Sequence, residues 1–350
     1  MIRWLVEGGR IETVEIVRGG FRAQFLTLGA SLRRLDVPGR EGPANVVLGY
    51  REIDEYRGHP RFYGAVAGRY ANRIGGARFA LDGVEHVLAA NDGTNSLHSG
   101  PLGFDQQFWE VVAHDAHAVT FAHRSPAGFN GFPGNLDVRV RYALEEDGLA
   151  IGFTATTDAP TIVNLTHHGY FNLAGEASGR SILDHWLQIP ASRMTPTDAH
   201  LIPTGDYRDV TGTPFDFRAP RPVGRDIGAD DAQLELGRGY DHNFVLDDAT
   251  KALRRVATLF DPPSGRAMDL HSTEPGLQFY SGNHLANGAP GTSGRTYAAR
   301  DGLCLEPQKF PDSPNRPQFP SARLDPGETY RHDMALRFRM ADSVEAAFAT

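Results

Sequence analysis

Val138-Arg139-Val140-Arg141-Tyr142 alternates apolar and polar residues, Glu145-Glu146-Asp147-Gly148 interrupts it, and Ala150-Ile151-Gly152-Phe153-Thr154 resumes the alternation. Successive side chains of a strand point to opposite faces, so a period of two marks a half-buried β-strand. Asp-Gly supplies the positive-φ positions of a tight turn, so the stretch predicts an antiparallel hairpin. A second hairpin runs from Val256–Phe260 through Asp261-Pro262-Pro263-Ser264-Gly265 to Ala267–Leu270. The same alternation predicts strands at Ile11–Val17, Phe21–Leu28, Trp109–Val112, Val119–Ala122, Trp186–Ile189, Gly276–Ser281 and Tyr330–Phe338. Helical candidates are short: Ile53–Tyr56, Ala229–Leu236 and Ser343–Phe348. Strands never alternate with long helices, which argues against a parallel βαβ sheet. The turn-rich stretches Thr211–Arg225 and Ala286–Arg300 are flanked by strands and read as loops, not linkers. The expected fold is all-β, a large antiparallel β-sandwich, with residues 1–350 as one domain.

Composition agrees with that reading and narrows the function. The 39 Gly and 23 Pro among 350 residues exceed the usual ~12% but stay below the ~25–30% of low-complexity chains. The single Cys304 excludes a disulfide framework and multi-cysteine metal sites. No apolar run reaches the ~18 residues that span a bilayer. The N-terminal residues lack the pattern of a signal peptide, so a cytoplasmic protein is expected. The net charge of −8 argues against nucleic acid and anionic membranes as partners. Lys251 and Lys309 are the only lysines, and the arginines are scattered without a patch.

Polar segments interrupt the strands. They are Gly68–Gly75, with Asn72-Arg73; Asn95–Asp105, with His98; Asn164-Leu165-Thr166-His167-His168-Gly169-Tyr170-Phe171-Asn172-Leu173; Gly239-Tyr240-Asp241-His242-Asn243-Phe244; Leu277–Asn283, with Gln278; and Leu305-Glu306-Pro307-Gln308. Amides, carboxylates and guanidinium groups meet hydroxyls, and aromatic faces cover the apolar side of a sugar ring. A phosphate site would want a glycine-rich loop leading into a helix, which is absent from the sequence. By residue type alone, Glu306 also reads as a solvated strand end, His98 as a turn histidine and Asp241 as a cap. His242 has equal standing with Asp241.

These segments, in this order, resemble the aldose 1-epimerase (galactose mutarotase) family over nearly the whole chain, from Asn72-Arg73-Ile74 to Pro326-Gly327-Glu328-Thr329-Tyr330. The resemblance implies a galactose mutarotase-like supersandwich with a concave sugar-binding face. It also implies interconversion of the α and β anomers of free aldoses such as galactose and glucose, with no cofactor and no metal. Glu306 corresponds to the base that removes the anomeric proton, and His168 to the acid that protonates the ring oxygen. Asn72, Arg73, His98, Tyr170, Asp241 and Gln278 would surround the sugar, Arg73 and His98 near its ring and anomeric oxygens, and Asp241 near hydroxyls remote from C1.

Reference values near ~4.3 for Glu and ~6.5 for His put Glu306 in its ionised form at neutral pH. An adjacent carboxylate is expected to raise the pKa of His168. Two departures from the family pattern stand out. His167 precedes His168 where the family usually has Asn, and only one of two adjacent side chains can face the sugar, leaving His167 buried or behind the site. Ser99 follows His98 where many members have two glycines, and a serine asks less of backbone φ. Cys304 shares a strand face with Glu306, which makes it a candidate for the pocket wall. No two candidate ligands stand at close metal-binding spacing. A non-catalytic carbohydrate-binding module and a hexose-6-phosphate epimerase are the alternatives. The second needs arginines converging on phosphate, and only Arg73 can be placed by sequence. A monomer or weak homodimer is expected.

Overall fold

The computed structural model describes residues 9–349 except His59, Pro60, Ala249 and Asn287. The deciding hairpin forms strands Leu136–Leu144 and Gly148–Thr157, paired antiparallel with Leu144 opposite Leu149. Leu136, Val138, Val140 and Tyr142 are buried, while Asp137, Arg139 and Arg141 are exposed. The hairpin belongs to a nine-stranded sheet that continues through Tyr330–Met340, Arg266–Ser272 and Arg254–Asp261. A six-stranded sheet runs in the order Tyr170–Phe171, Leu303–Gln308, Gly276–Tyr280, Asp241–Val245, Arg193–Met194, Arg208–Asp209. Val140 and Phe153 of the larger sheet share one apolar cluster with Phe244, Leu277, Phe279, Leu303 and Leu305 of the smaller. Two sheets burying their inner faces against each other make the expected sandwich.

Strand positions agree with the sequence reading; the ends shift by a few residues. The strand expected at Trp109–Val112 is Glu110–His114, and Val119–Ala122 extends to Ala118–Ser125. The short helices form at Ile53–Tyr56, Ala232–Gly237 and Val344–Phe348. Asp231 and Ser343 cap the last two by accepting hydrogen bonds from backbone N–H groups. No helix among the described residues is long and apolar enough to cross a membrane.

Alternation in the smaller sheet positions the site. Leu277, Phe279, Leu303 and Leu305 point into the core, so Gln278, Tyr280, Cys304 and Glu306 must point to the other face. Loops cover that face, which is why Leu303–Gln308 is buried along its whole length.

Candidate active site

Residues directly opposite in an antiparallel pair share a face, so the register arranges the outer face into two rows. Tyr170 lies opposite Cys304, Cys304 opposite Tyr280, and Tyr280 opposite Asp241. The next row is Glu306 opposite Gln278 and Gln278 opposite Asn243. Gln278 donates from Nε2 to Asp241 Oδ1 at 2.7 Å, joining the rows. His242, on the opposite face from Asp241, packs its ring 4.8 Å from that of Phe215 in the core. Strand alternation thus separates two neighbours that residue type could not.

Loops bring the remaining groups over this face. Arg73 pairs with Leu97 across a two-residue ladder, which sets Asn72 beside His98. The backbone N–H of Asn72 donates to His98 Nδ1 at 3.1 Å, and that of His98 donates to the Asn72 carbonyl at 3.1 Å. Arg73 donates from Nε to Asp92 Oδ2 at 2.7 Å and reaches Asp241 at 3.9 Å. The backbone of His168 is held by Ala65 and Gly64, each through a 2.9 Å hydrogen bond. Its ring stacks with Phe62 at 5.5 Å and with Tyr170 at 5.0 Å, and meets the His98 ring edge-on at 5.2 Å. His168 Nε2 stands 3.8 Å from Glu306 Oε2.

The resulting cavity encloses about 160 Å³ and is lined by all eight residues named from the sequence: Asn72, Arg73, His98, His168, Tyr170, Asp241, Gln278 and Glu306. That volume is well below the ~300 Å³ at which drug-sized pockets begin, and suits a small ligand. Arg61, Phe62, Leu97, Tyr280, His284 and Leu285 complete the lining. Tyr280 was legible as the same-face neighbour of Gln278 two residues on. Phe62 and Arg61 sit in a loop, Phe62 at φ +56°, where the sequence carried no period to point at them. Arg61 answers the search for another arginine at the pocket, but its guanidinium already donates to the carbonyls of His284 and Ala286.

Several expectations are corrected. Glu306 is 2% exposed, and burial together with the nearby Asp241 charge pushes its carboxyl well above the usual range, against the pull of Arg73. His168 is driven down to about 4 by burial. Desolvation therefore works against the charged form of both groups, moving the carboxyl up and the imidazole down. Cys304 does not line the cavity; it is fully buried beneath it. Ser99 does not relax the backbone: His98 and Ser99 take φ of +50° and +74°. The Ser99 hydroxyl supports that turn, accepting from Tyr70 N at 2.7 Å and donating to Tyr70 O at 3.2 Å. His167 is buried, as expected, and faces Tyr142.

The raised Glu306 carboxyl sets the sign of a pH effect. Between the unfolded carboxylate range and its own elevated one, the folded chain holds a proton that the unfolded chain releases, so stability falls as pH rises through that window. Glu306→Gln, which cannot titrate, should raise Tm above wild type by a margin that widens with pH and vanishes in acid. Thermal scans across pH read it; a margin independent of pH would exclude burial of the carboxylate as the cause.

The sequence offered no close metal-ligand spacing, yet folding brings ligand atoms of His98, His168 and Glu306 within 4.8 Å of one another. Their hydrogen bonds do not fit a cation. Because His98 Nδ1 accepts from Asn72 N–H, the proton of the neutral ring resides on Nε2, whereas a metal-bound histidine donates from its other nitrogen. His98 is a fixed donor into the cavity.

An acid, a base and a rim of hydrogen-bonding groups around a small cavity suit proton transfer to and from a hydroxylated ligand. Known proteins agree. Residues 12–337 match the family model described as aldose 1-epimerase. The chain is 40% identical to human galactose mutarotase over 335 residues, covering 95% of this chain and 96% of that one. It is 39% identical to Escherichia coli aldose 1-epimerase over 315 residues, covering 89% and 90%. The fold matches an aldose epimerase homologue from C. elegans with a TM-score of 0.87 at 30% identity, covering 95% of this chain and 100% of that one. With the family model spanning nearly all of its length and these relatives matched almost end to end, this chain belongs to the aldose 1-epimerase family.

Proposed function

We propose that this protein interconverts the α and β anomers of free aldoses such as galactose and glucose, with Glu306 and His168 as the proton-transfer pair. The approach of His168 Nε2 to Glu306 Oε2, 3.8 Å apart at the wall of a monosaccharide-sized cavity, carries the reading. In the reactive arrangement Glu306 is ionised and His168 protonated, one proton being shared by the pair. Glu306 takes the proton of the anomeric hydroxyl while His168 delivers its proton to the ring oxygen. The C1–O5 bond breaks, the aldehyde forms, and rotation about C1–C2 exposes the other face. Reclosure runs the same transfers backwards, so each group must act as both acid and base. The Arg73 charge favours ionised Glu306, and His98 Nε2–H donates to a sugar oxygen at the reacting end. Asn72, Tyr170, Asp241 and Gln278 hold the remaining hydroxyls and the ring face.

Polarimetry of freshly dissolved α-galactose or α-glucose tests this: catalytic protein shortens the relaxation in proportion to its concentration. Sugar binding with no change in relaxation at any pH would instead identify a carbohydrate-binding module. A lower KM for glucose 6-phosphate than for glucose would identify the phosphosugar as substrate. The acidic balance argues against nucleic-acid and anionic-membrane partners, and one apolar cluster drawing residues from Val14 to Phe338 supports a single domain; we extend the proposal to a cytoplasmic protein, monomeric or weakly dimeric.

A further inference from the structure

Arg73 lines the cavity but is held from outside it. Its Nε donates to Asp92 Oδ2 at 2.7 Å, whereas its Nη1 stands 3.9 Å from Asp241 Oδ2, too far for a hydrogen bond. Asp92 does not line the cavity. Among the described residues, the Nη groups of Arg73 make no hydrogen bond. The Arg73 side chain is 12% exposed and that of Asp92 37%, so the pair has one end in the site and the other at the surface.

The fold fixes where the Asp92 carboxylate sits. Asp92 and Asn95 exchange backbone hydrogen bonds of 3.1 and 3.0 Å, closing a turn. The Asn91 side chain accepts from Leu97 N–H at 2.7 Å and donates to the Leu97 carbonyl at 3.0 Å. Asn95 Oδ1 accepts from Gly76 N–H at 2.9 Å. The turn is thus fastened to the segments on both sides of the ladder in which Arg73 pairs with Leu97.

We propose that Asp92 is a positioning residue for Arg73: its carboxylate holds Nε, which turns the Nη groups of the guanidinium toward the sugar and leaves Asp241 free for the sugar's hydroxyls.

Two carboxylates flank one guanidinium, and distance decides between them. The 2.7 Å contact is a charge-assisted hydrogen bond, while 3.9 Å gives only the attraction of the charges. Without Asp92, Asp241 is the acidic partner left to Arg73 among the described residues. Its Oδ2 is open to the arginine, because Gln278 holds Oδ1. The guanidinium then closes on Asp241, and two groups that bind the sugar engage each other instead. Asp92 also tempers the Arg73 charge. That charge pulls Glu306 down against burial and Asp241, and an opposite charge beside it weakens the pull. The charged and titratable groups around Arg73 are Asp92, Asp241, Glu306, His98 and His242. His168, Asp241 and Cys304 face Glu306 in turn.

This inference rests on the epimerase reading of the same cavity. The test is polarimetry with galactose across pH, at low salt, on Asp92→Ala, Asp92→Asn, Arg73→Gln and the double variant of Asp92→Ala with Arg73→Gln. Asp92→Ala is expected to raise KM about three- to tenfold, the worth of one hydrogen bond to the sugar. Asp92→Asn keeps an acceptor for Nε, so KM should stay near wild type. Its lost charge should move the high-pH limb of the profile toward acid by a fraction of a pH unit, and Arg73→Gln should move that limb the other way. The double variant should match Arg73→Gln alone, since Asp92 acts only through that side chain. A merely structural role would lower the active fraction, which changes kcat but neither KM nor the limb. Tm should stay near wild type in both Asp92 variants, because a partly exposed ion pair adds little to stability. An unchanged KM in Asp92→Ala, or losses that add in the double variant, overturns the positioning role. A wild-type chain that does not speed relaxation overturns the epimerase reading instead, and the galactose affinity of the same variants, by calorimetry, then decides the role of Asp92.

Discussion

Glu306→Gln and His168→Asn are each expected to lower the enzyme-dependent rate of anomer relaxation by about 10²–10⁴-fold, the usual worth of one positioned proton transfer. Both replacements keep the shape and some hydrogen bonding of the original, so sugar affinity should change little and the loss should fall on kcat. The two groups serve one proton cycle, so the double variant should lose far less than the product of the single losses. Polarimetry with saturating galactose measures the effect. An unchanged relaxation rate in either variant would remove that residue from the chemistry. The wild-type pH profile should describe the pair and not either group, because burial moves Glu306 up and His168 down and the two face each other at 3.8 Å. Activity should therefore hold between the lowered range of His168, near 4, and the elevated range of Glu306, and decline as pH rises through the latter.

Gly64→Ala should be among the most damaging single substitutions. Gly64 has φ +63°, and a Cβ there would lie 2.0 Å from the Leu32 carbonyl oxygen. The residue is also fastened on both sides: its carbonyl accepts from Leu32 N at 2.8 Å and its N–H donates to the His168 carbonyl at 2.9 Å. A left-handed non-glycine residue costs ~1–3 kcal/mol, and forcing an atom into a packed site costs a further ~1–3 kcal/mol. About 3 kcal/mol of lost stability is expected, read as a lower midpoint in urea unfolding. The displaced segment carries Phe62, which packs on His168 and His98, so kcat should fall as well. Gly58→Ala separates the two contributions: φ is +69°, but nothing lies within 4 Å of the added methyl. That variant should lose only the conformational part, about 1 kcal/mol. Equal losses at the two positions would show that the clash with Leu32 relaxes freely.

Much of the architecture was legible because its signals are local. Alternation in Val138–Tyr142 and Ala150–Thr154, with Asp147-Gly148 between them, needs only neighbouring residues to be read, and the hairpin formed where it was expected. The turn from Asp261 to Gly265 did likewise. Two-residue ladders such as Arg73–Ile74 with Ser96–Leu97 were not legible. They are too short to carry a period, and tertiary contacts alone set them.

The candidate site divides along the same line. Sequence by itself determined the strand alternation, the turns, and the eight polar residues that motif order singled out, all of which line one cavity. Only the tertiary structure decided that Phe62 packs on the acid, that Arg61 is committed to the cavity rim, and that Cys304 lies under His168 instead of in the wall. Protonation also belongs to the folded state. Residue types suggested a charged pair, whereas burial moves the Glu306 carboxyl up and the His168 imidazole down, because the cost of removing a charge from water depends on everything packed around it and not on its neighbours in the chain.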